Sequence, residues 1–310
     1  MLKTPAISRR ALLAGAAALP ITAATSQSTL AAADMKGVAQ TRFNRMKLGN
    51  FEVTTLLVGT RTVEGPQNIF GMNVSAEEFA TASAAARIPT TAAQFFFTPT
   101  VVNTGSQLIL FDTGLNPGAI SSALEAAGYS TDQVDTVVIT HMHGDHIGGM
   151  AGENGVTFAN AKHVTGTTEM NFWAGTDKNK AFEGKIRPNM DRFDMIEDGA
   201  SVASGVTAMS AFGHTPGHTT YMLESDGQQM LLAADFANHY VWSLAHPDWE
   251  VKFDMDKSAA AATRRKMLGM MAADSVPFVG YHMPFPAVGF VETHGDGFHY
   301  APASYQFMMS

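Results

Sequence analysis

Six consecutive residues beginning at His141 constrain the fold of this chain more than any other feature. They read His-Met-His-Gly-Asp-His and directly follow Val134–Thr140, an apolar run typical of a buried strand. His143 lies two residues beyond His141 at the strand end, and a turn can redirect Asp145 and His146 toward the same centre. A lone histidine is most often structural, but this density of imidazole and carboxylate predicts a metal site.

Strands and helices are mixed along the rest of the chain. The predicted strands are Arg45–Leu48, Phe51–Val58, Thr98–Asn103, Gln107–Phe111, Lys162–Thr165, Val206–Ser210, Thr219–Leu223, Met230–Ala234 and, as the last, Phe278–Tyr281. Predicted helices run from a Ser75 cap to Ala86, over Ala119–Ala127 and over Asp256–Ala273. Residues 174–192 are polar and predict a surface insertion or loop. This order predicts an α/β (α+β) sandwich rather than a bundle or a propeller.

The first 33 residues have the layout of an export signal. Lys3, Arg9 and Arg10 precede an apolar run, and small residues follow up to Ala33. The paired arginines resemble a twin-arginine signal, which exports folded proteins from bacteria. We therefore expect a leader over 1–33, a single domain over 34–310, and a periplasmic or secreted location.

Charge and cysteine content exclude several classes of protein. The chain carries a formal net charge of −8, and removal of the leader makes it −11, which disfavours nucleic acid as a partner. No apolar run after residue 33 is long enough for a membrane span. Because the chain contains no cysteine, any metal must be held by His, Asp or Glu.

The H-x-H-x-D-H segment resembles the metal-binding motif of the metallo-β-lactamase superfamily. Other motifs of that family follow in order, namely Asp112-Thr113-Gly114 upstream, then Gly213-His214-Thr215-Pro216-Gly217-His218, Ala233-Ala234-Asp235 and Gly280-Tyr281-His282. The resemblance extends from about Phe51 to Pro286. It implies a four-layer αββα sandwich with metals at one edge.

The resemblance also implies a set of metal ligands. One divalent ion would be held by His141, His143 and His214, the other by Asp145, His146 and His282, and Asp235 would bridge the two. The family favours zinc, although nitrogen and oxygen donors also suit manganese, iron or cobalt. Such a centre activates a bridging hydroxide as nucleophile, with Asp145 and Asp235 as the catalytic carboxylates.

Neighbouring residues would support this centre. Asp112 is expected to orient a histidine or the loop, and His218 to stabilise its own loop through hydrogen bonds. Phe172 and Trp173, which precede the polar insertion, are candidates for a substrate pocket. An aromatic pocket favours neutral, apolar substrates over anions.

Two features are similar to the methyl parathion hydrolase and lactonase group rather than to true β-lactamases. These are the bridging Asp235 and the tail from Tyr281 to Gly289. The resemblance implies hydrolysis of lactones or aryl esters, with phosphotriesters as further substrates, and a homodimer is compatible with it. The alternatives are a glyoxalase-type thioesterase, an iron-dependent sulfur dioxygenase and a non-enzymatic periplasmic metal-binding protein.

Overall fold

A computed structural model describes residue 39 and residues 41–305, and strands and helices alternate through this part of the chain. The strands are β1 (Phe43–Leu48), β2 (Phe51–Leu56), β3 (Gly59–Glu64), β4 (Ala92–Phe97), β5 (Thr100–Asn103), β6 (Leu108–Phe111), β7 (Thr136–Ile139), β8 (Ala151–Gly152), β9 (Gly155–Val156), β10 (Lys162–Gly166), β11 (Phe193–Ile196), β12 (Ser201–Ala203), β13 (Val206–Ser210), β14 (Thr219–Ser225), β15 (Gln228–Ala234), β16 (Phe278–Gly280), β17 (Val288–His294) and β18 (Gly297–Pro302). The α-helices are α1 (Ala76–Ala85), α2 (Pro117–Ala126), α3 (Gly144–Ile147), α4 (Thr167–Ala174), α5 (Lys180–Lys185) and α6 (Lys257–Asp274). A π-helix covers Tyr240–Ala245, and 3₁₀ turns cover Pro66–Asn68, Thr131–Gln133 and Arg187–Arg192.

Most of the strands form two mixed sheets of seven strands each. The first has the order β1-β2-β5-β6-β7-β10-β11, and β6, β7, β10 and β11 run parallel to one another. The second has the order β12-β13-β14-β15-β16-β17-β18, and only β15 and β16 are parallel. The predicted antiparallel hairpin of β5 and β6 is present, with Asn103 opposite Leu108.

The two sheets enclose the main apolar core, and helices cover their outer faces. In β7, Val138 packs into the core shared with the second sheet, whereas Val137 and Ile139 pack on the helix side. Burial on both faces explains why this strand reads as a continuous apolar run. With α2, α4 and α5 outside the first sheet and α6 against the second, the architecture is the expected αββα sandwich.

A third apolar cluster lies beside the sandwich. It joins the two-stranded antiparallel sheet of β3 and β4, together with α1, to the π-helix. Rings such as Phe79 and Trp242, whose centroids are 5.0 Å apart, make this connection. Helix α1 begins as predicted, because the Ser75 side chain accepts a hydrogen bond from the Glu78 N–H at 3.1 Å. The cluster also contains Phe95 and Phe97, which reach the functional site described below.

Two sequence expectations about secondary structure are wrong. The strand at residue 278 is not the last, because β17 and β18 form an antiparallel hairpin after it. The segment 174–192 is not simply a surface loop, since it contains α5 and a 3₁₀ turn. Phe182 and Ile186 from this segment are fully buried against the outer face of the first sheet, and the polar residues lie on the solvent side.

The described elements all belong to one compact unit. Between residues 41 and 305, no helix combines the length and apolarity needed to cross a membrane. The predicted leader at residues 1–33 lies outside the described residues.

Candidate metal centre

Six chain segments that follow strands meet at one edge of the sandwich. Parallel strands share the direction of their carboxyl ends, so the residues after β6, β7 and β10 reach the same edge of the first sheet. The parallel pair β15 and β16 delivers Asp235 and His282 from the second sheet, and His214 lies in the loop between β13 and β14. This is where ligands bind in sheets of this kind.

The histidine-rich loop turns back immediately after β7. The Thr140 N–H donates to the Asp112 carboxylate at 2.9 Å, which anchors the end of the strand. His143 then occupies the N-cap position of α3, and the His146 N–H donates to the His143 carbonyl at 3.0 Å. This single turn directs Asp145 and His146 toward the centre.

The structure brings together all seven residues that the sequence suggests as ligands. Their nitrogen and oxygen atoms form three overlapping groups, and within each group the candidate ligand atoms lie within 4.8 Å of one another. The groups are His141, His143 and His214; His141, His146 and Asp235; and Asp145, His146 and His282. Five of the seven are buried, whereas His143 is half-buried and the Asp145 side chain is 26% exposed. The centre is therefore open to solvent on the side of Asp145.

Asp235 lies between the two outer groups of histidines. One carboxylate oxygen is 3.1 Å from His282 Nε2 and 3.5 Å from His214 Nε2, and the other is 3.3 Å from His146 Nε2. On the far side of His214, His143 Nδ1 is 3.0 Å from His214 Nε2 and 3.1 Å from His141 Nε2. Asp235 is thus the carboxylate whose oxygens lie close to nitrogens of both groups.

Burial sets the charge of the first group of histidines. It lowers the pKa of His141 well below its ordinary value, and the neighbouring His146 and His143 lower it further. Burial together with His214 lowers the pKa of His143 to about 3. Both rings are therefore neutral at physiological pH, and a neutral imidazole offers a lone pair to a cation.

The two carboxylates are ionised. Although burial raises it, the neighbouring His146 and His282 lower the pKa of Asp145 to about 2. The same opposition holds the pKa of Asp235 well below its usual value, because His282 and His146 outweigh burial. The centre therefore combines neutral nitrogen donors on His141 and His143 with anionic oxygen donors on Asp145 and Asp235.

This donor set fits divalent transition metals. His146 Nε2 and Asp235 Oδ1 are both buried without a hydrogen-bond partner, which is costly unless something else coordinates them. His143 Nδ1 lies within 3.1 Å of imidazole nitrogens on both His141 and His214, and these three nitrogens likewise suit a shared cation better than they suit each other. Nitrogen and oxygen donors without sulfur are typical of zinc, manganese, iron and cobalt sites.

Four of the five histidines in the centre use the outward-facing ring nitrogen in a hydrogen bond. His146 Nδ1 donates to Asp112 at 2.8 Å, which is the orienting role that the sequence suggests for Asp112. His282 Nδ1 donates to the Phe96 carbonyl, also at 2.8 Å. The ring of His218 bonds the Ala211 carbonyl at 3.1 Å and accepts the Asp235 N–H at 3.0 Å, so both of its nitrogens are used within the loop region.

Four residues of this site carry no local signal in the sequence. Asp254 accepts a hydrogen bond from His214 Nδ1 at 3.0 Å and pairs with the buried Arg264 at 2.7 Å. The Tyr281 hydroxyl donates to the Asp145 carbonyl at 2.6 Å. Glu169 is a fully buried acid with four hydrogen-bond donors around it. Only the fold reveals these roles. Asp254, Arg264 and Glu169 are isolated polar residues outside the motifs, and although Tyr281 lies inside Gly280-Tyr281-His282, nothing in that motif indicates its hydrogen bond to Asp145.

Aromatic rings surround the centre. Phe95 and Phe97 approach His282 edge-on, each with a centroid distance of 5.5 Å. Trp173 packs beside His143 at 6.3 Å but is only 7% exposed, and its indole N–H donates to Glu169. Phe172 is 36% exposed. Of the two pocket candidates from the sequence, Phe172 is therefore accessible and Trp173 is mainly a core residue.

The fold and this cluster define a class of protein. The family model of the metallo-beta-lactamase superfamily matches residues 98–282, more than half of the chain, and the chain belongs to that superfamily. Among curated relatives, an N-acyl homoserine lactonase from a Bacillus species is 25% identical over 162 residues, covering 52% of this chain and 61% of the relative. One from Bacillus thuringiensis is 29% identical over 107 residues, or 34% of this chain and 40% of the relative. The matched part of the chain thus covers less than two thirds of the length of these relatives.

Solved structures match over a greater length. AidC, described as a dizinc quorum-quenching lactonase in complex with its product N-hexanoyl-L-homoserine, superposes with a TM-score of 0.77 at 25% identity, covering 84% of this chain and 97% of its own. AbOPH, described as a hydrolase in the beta-lactamase superfamily, superposes with a TM-score of 0.78 at 25% identity. This match covers 86% of this chain and 99% of AbOPH. The relatives are metal-dependent hydrolases, as the sequence predicts for this chain.

Proposed function

We propose that this protein hydrolyses neutral lactones with two divalent metal ions, zinc being the preferred metal. The observation that carries the proposal is the convergence of five histidines and two aspartates in three overlapping groups around Asp235. Support comes from the likeness to a dizinc lactonase over 84% of this chain. Aryl esters and phosphotriesters are proposed as further substrates of the same site.

The geometry supports the ligand assignment that the resemblance implies. His141, His143 and His214 would hold one ion, and Asp145, His146 and His282 the other. These two sets coincide with two of the three groups of close-lying donor atoms. Asp235 would be shared, because its two oxygens lie within 3.5 Å of nitrogens from both sets.

When bound, the two ions supply Lewis acidity and lower the pKa of water enough to provide a nucleophile at neutral pH. The protein residues position the reactants around them. Asp145 is the partly exposed carboxylate of the seven, and Tyr281 holds its backbone through a 2.6 Å hydrogen bond. We assign to the Asp145 carboxylate the relay of a proton, which it accepts from the attacking water and gives to the leaving oxygen when the lactone ring opens.

The surroundings of the centre favour uncharged substrates. The rings of Phe95 and Phe97 stand against His282, and the exposed ring of Phe172 packs on Trp173 at 5.0 Å. A chain with a net charge of −8 also repels anions. A neutral lactone with an apolar substituent therefore suits this site better than an anionic thioester.

A panel assay tests the proposal. Zinc-loaded and chelator-treated protein would be offered an N-acyl homoserine lactone, dihydrocoumarin, an aryl acetate, a glutathione thioester and a phosphotriester. We expect the lactones to give the highest kcat/KM, and activity to vanish after chelation and return with zinc. Faster turnover of the thioester, or equal turnover without metal, contradicts the proposal.

The location is a second proposal, since it depends on residues 1–33. We propose export of the folded chain by the twin-arginine route, with the hydrolase acting in the periplasm or outside the cell. The support is the arrangement of Arg9 and Arg10 before an apolar run and small residues.

A further inference from the structure

Glu169 is a buried carboxylate in the first turn of α4, and both of its oxygens are fully used. One oxygen accepts the Met142 N–H at 2.8 Å and the Trp173 indole N–H at 2.7 Å. The other accepts the Thr215 hydroxyl at 2.7 Å and the Gly217 N–H at 3.0 Å. The side chain is 0% exposed, so no hydrogen bond lost here can be replaced by bulk water.

Three of the four partners of Glu169 belong to the two loops that carry the three-histidine group. Met142 lies between His141 and His143, and Thr215 directly follows His214. We propose that Glu169 is a positioning residue that holds these two loops at the separation a metal ion needs. This inference rests on the metal-dependent function proposed above and assigns a role to a residue that touches no ligand side chain.

The packing around Gly217 shows how closely the second loop lies on α4. A Cβ added at Gly217 would stand 2.1 Å from the Glu169 backbone nitrogen, so only glycine fits at this position. The loop therefore rests directly on the first turn of α4, where the carboxylate can reach it. The Thr219 N–H also donates to the Thr140 carbonyl at 3.1 Å, which joins the two loops at their base. Glu169 adds the connection beside the histidines.

Charge gives Glu169 a second effect. Burial raises the pKa of the Glu169 carboxyl, and within the described part of the chain the carboxyl makes no ion pair, so the charge of its ionised form is balanced by the four hydrogen bonds alone. A buried carboxylate of this kind is stabilised by a nearby dication. The adjacent three-histidine group has no charged ligand of its own, so it gains more from this anion than the group containing Asp145 does.

Stepwise zinc binding tests the role of Glu169. Glu169→Gln keeps the shape but turns one oxygen into an NH₂ group that faces two donors, and it removes the charge. Thr215→Val removes one link between the loops and keeps the charge. Thr220→Val is the matched control, because Thr220 is also 0% exposed and its hydroxyl only donates to the Met209 carbonyl at 3.2 Å within the second sheet. Both zinc dissociation constants would be measured by competition with a fluorescent chelator.

We expect Glu169→Gln to raise the dissociation constant of one zinc ion roughly 10- to 100-fold and to change that of the other by less than about threefold. Thr215→Val should raise the dissociation constant of the same ion by a smaller factor. Thr220→Val should change neither dissociation constant. A double-mutant cycle identifies the affected ion. Combined with His214→Ala, which already breaks the three-histidine group, Glu169→Gln should have little further effect, whereas combined with His282→Ala its full effect should remain.

Unchanged zinc affinities in Glu169→Gln, or an equal loss at both ions, would overturn the inference. If Glu169→Gln does not fold, the comparison of Thr215→Val with Thr220→Val tests the positioning role instead. Equal zinc affinities in these two variants would contradict that role. Failure of the proposed function looks different. A wild-type chain that binds two zinc ions and hydrolyses no lactone refutes the function and leaves the positioning role of Glu169 testable by the same titrations.

Discussion

The buried ion pair behind His214 allows a quantitative prediction. Asp254 accepts hydrogen bonds from His214 Nδ1 at 3.0 Å and from Arg264 at 2.7 Å. Arg264 is 0% exposed and also donates to the carbonyls of Pro247 at 2.7 Å and Trp249 at 3.1 Å. One arginine therefore anchors both the acid that orients His214 and the segment that leads to α6.

Arg264→Met removes the cation and leaves the Asp254 carboxylate buried with His214 as its remaining partner. Breaking a buried pair in this way costs about 3–5 kcal/mol. At roughly 2–4 °C per kcal/mol for a domain of this size, the midpoint of thermal unfolding should fall by roughly 6–20 °C. The double variant Asp254→Leu with Arg264→Met removes both charges, and we expect it to recover most of that loss.

Differential scanning calorimetry of metal-free protein gives the comparison, because zinc binding would otherwise add to the free energy of unfolding. Arg264→Lys serves as a control that keeps the charge but not the planar set of donors. Its midpoint of thermal unfolding should lie between those of the wild type and Arg264→Met. A loss below about 1 kcal/mol in Arg264→Met, or a double variant no more stable than the single one, would refute the reasoning.

Three further predictions concern separate parts of the chain. Trp173→Ala should cost about 3–5 kcal/mol of stability in chemical denaturation, since the ring is buried; a stable variant with a lower kcat/KM on dihydrocoumarin would instead support a pocket role. Burial, with Arg192 nearby, lowers the pKa of His163 from 6.5 to about 4. The wild type should therefore lose stability as the pH falls from 6.5 toward 4, and His163→Phe should lose less. Parallel profiles of unfolding free energy against pH for the two proteins would contradict this. Mass spectrometry of exported protein should show a mature start close to Asp34, and replacing both leader arginines with lysine should block export; an intact leader in the periplasm would contradict this.

The metal centre could be predicted largely from the sequence because its ligands stand in short motifs at strand ends. His141, His143, Asp145 and His146 lie within six residues after one strand, and parallel strands bring their carboxyl ends to the same edge. Of the supporting acids, Asp112 could be predicted from its motif, whereas Asp254 and Glu169 could not. Glu169 lies 27 residues from Met142 and 46 from Thr215, so its role arises only from tertiary packing.

The errors in secondary structure have a similar physical origin. Helix α5 buries Phe182 on one side and exposes its charged residues on the other, and six residues are too few to show a helical period. Strands β17 and β18 were missed because their hairpin ends are polar and exposed around Gly295. In both cases the buried side of the element is set by a neighbour that is distant in sequence.

The number of metal ions per chain tests the central claim most directly. Protein purified with excess zinc, desalted and measured by elemental analysis should contain two zinc ions per chain. Asp235→Ala should lose metal and lactone turnover together, because Asp235 is the carboxylate that contacts both groups of histidines. At most one ion in the wild type, or two ions and full activity in Asp235→Ala, would contradict the two-metal centre.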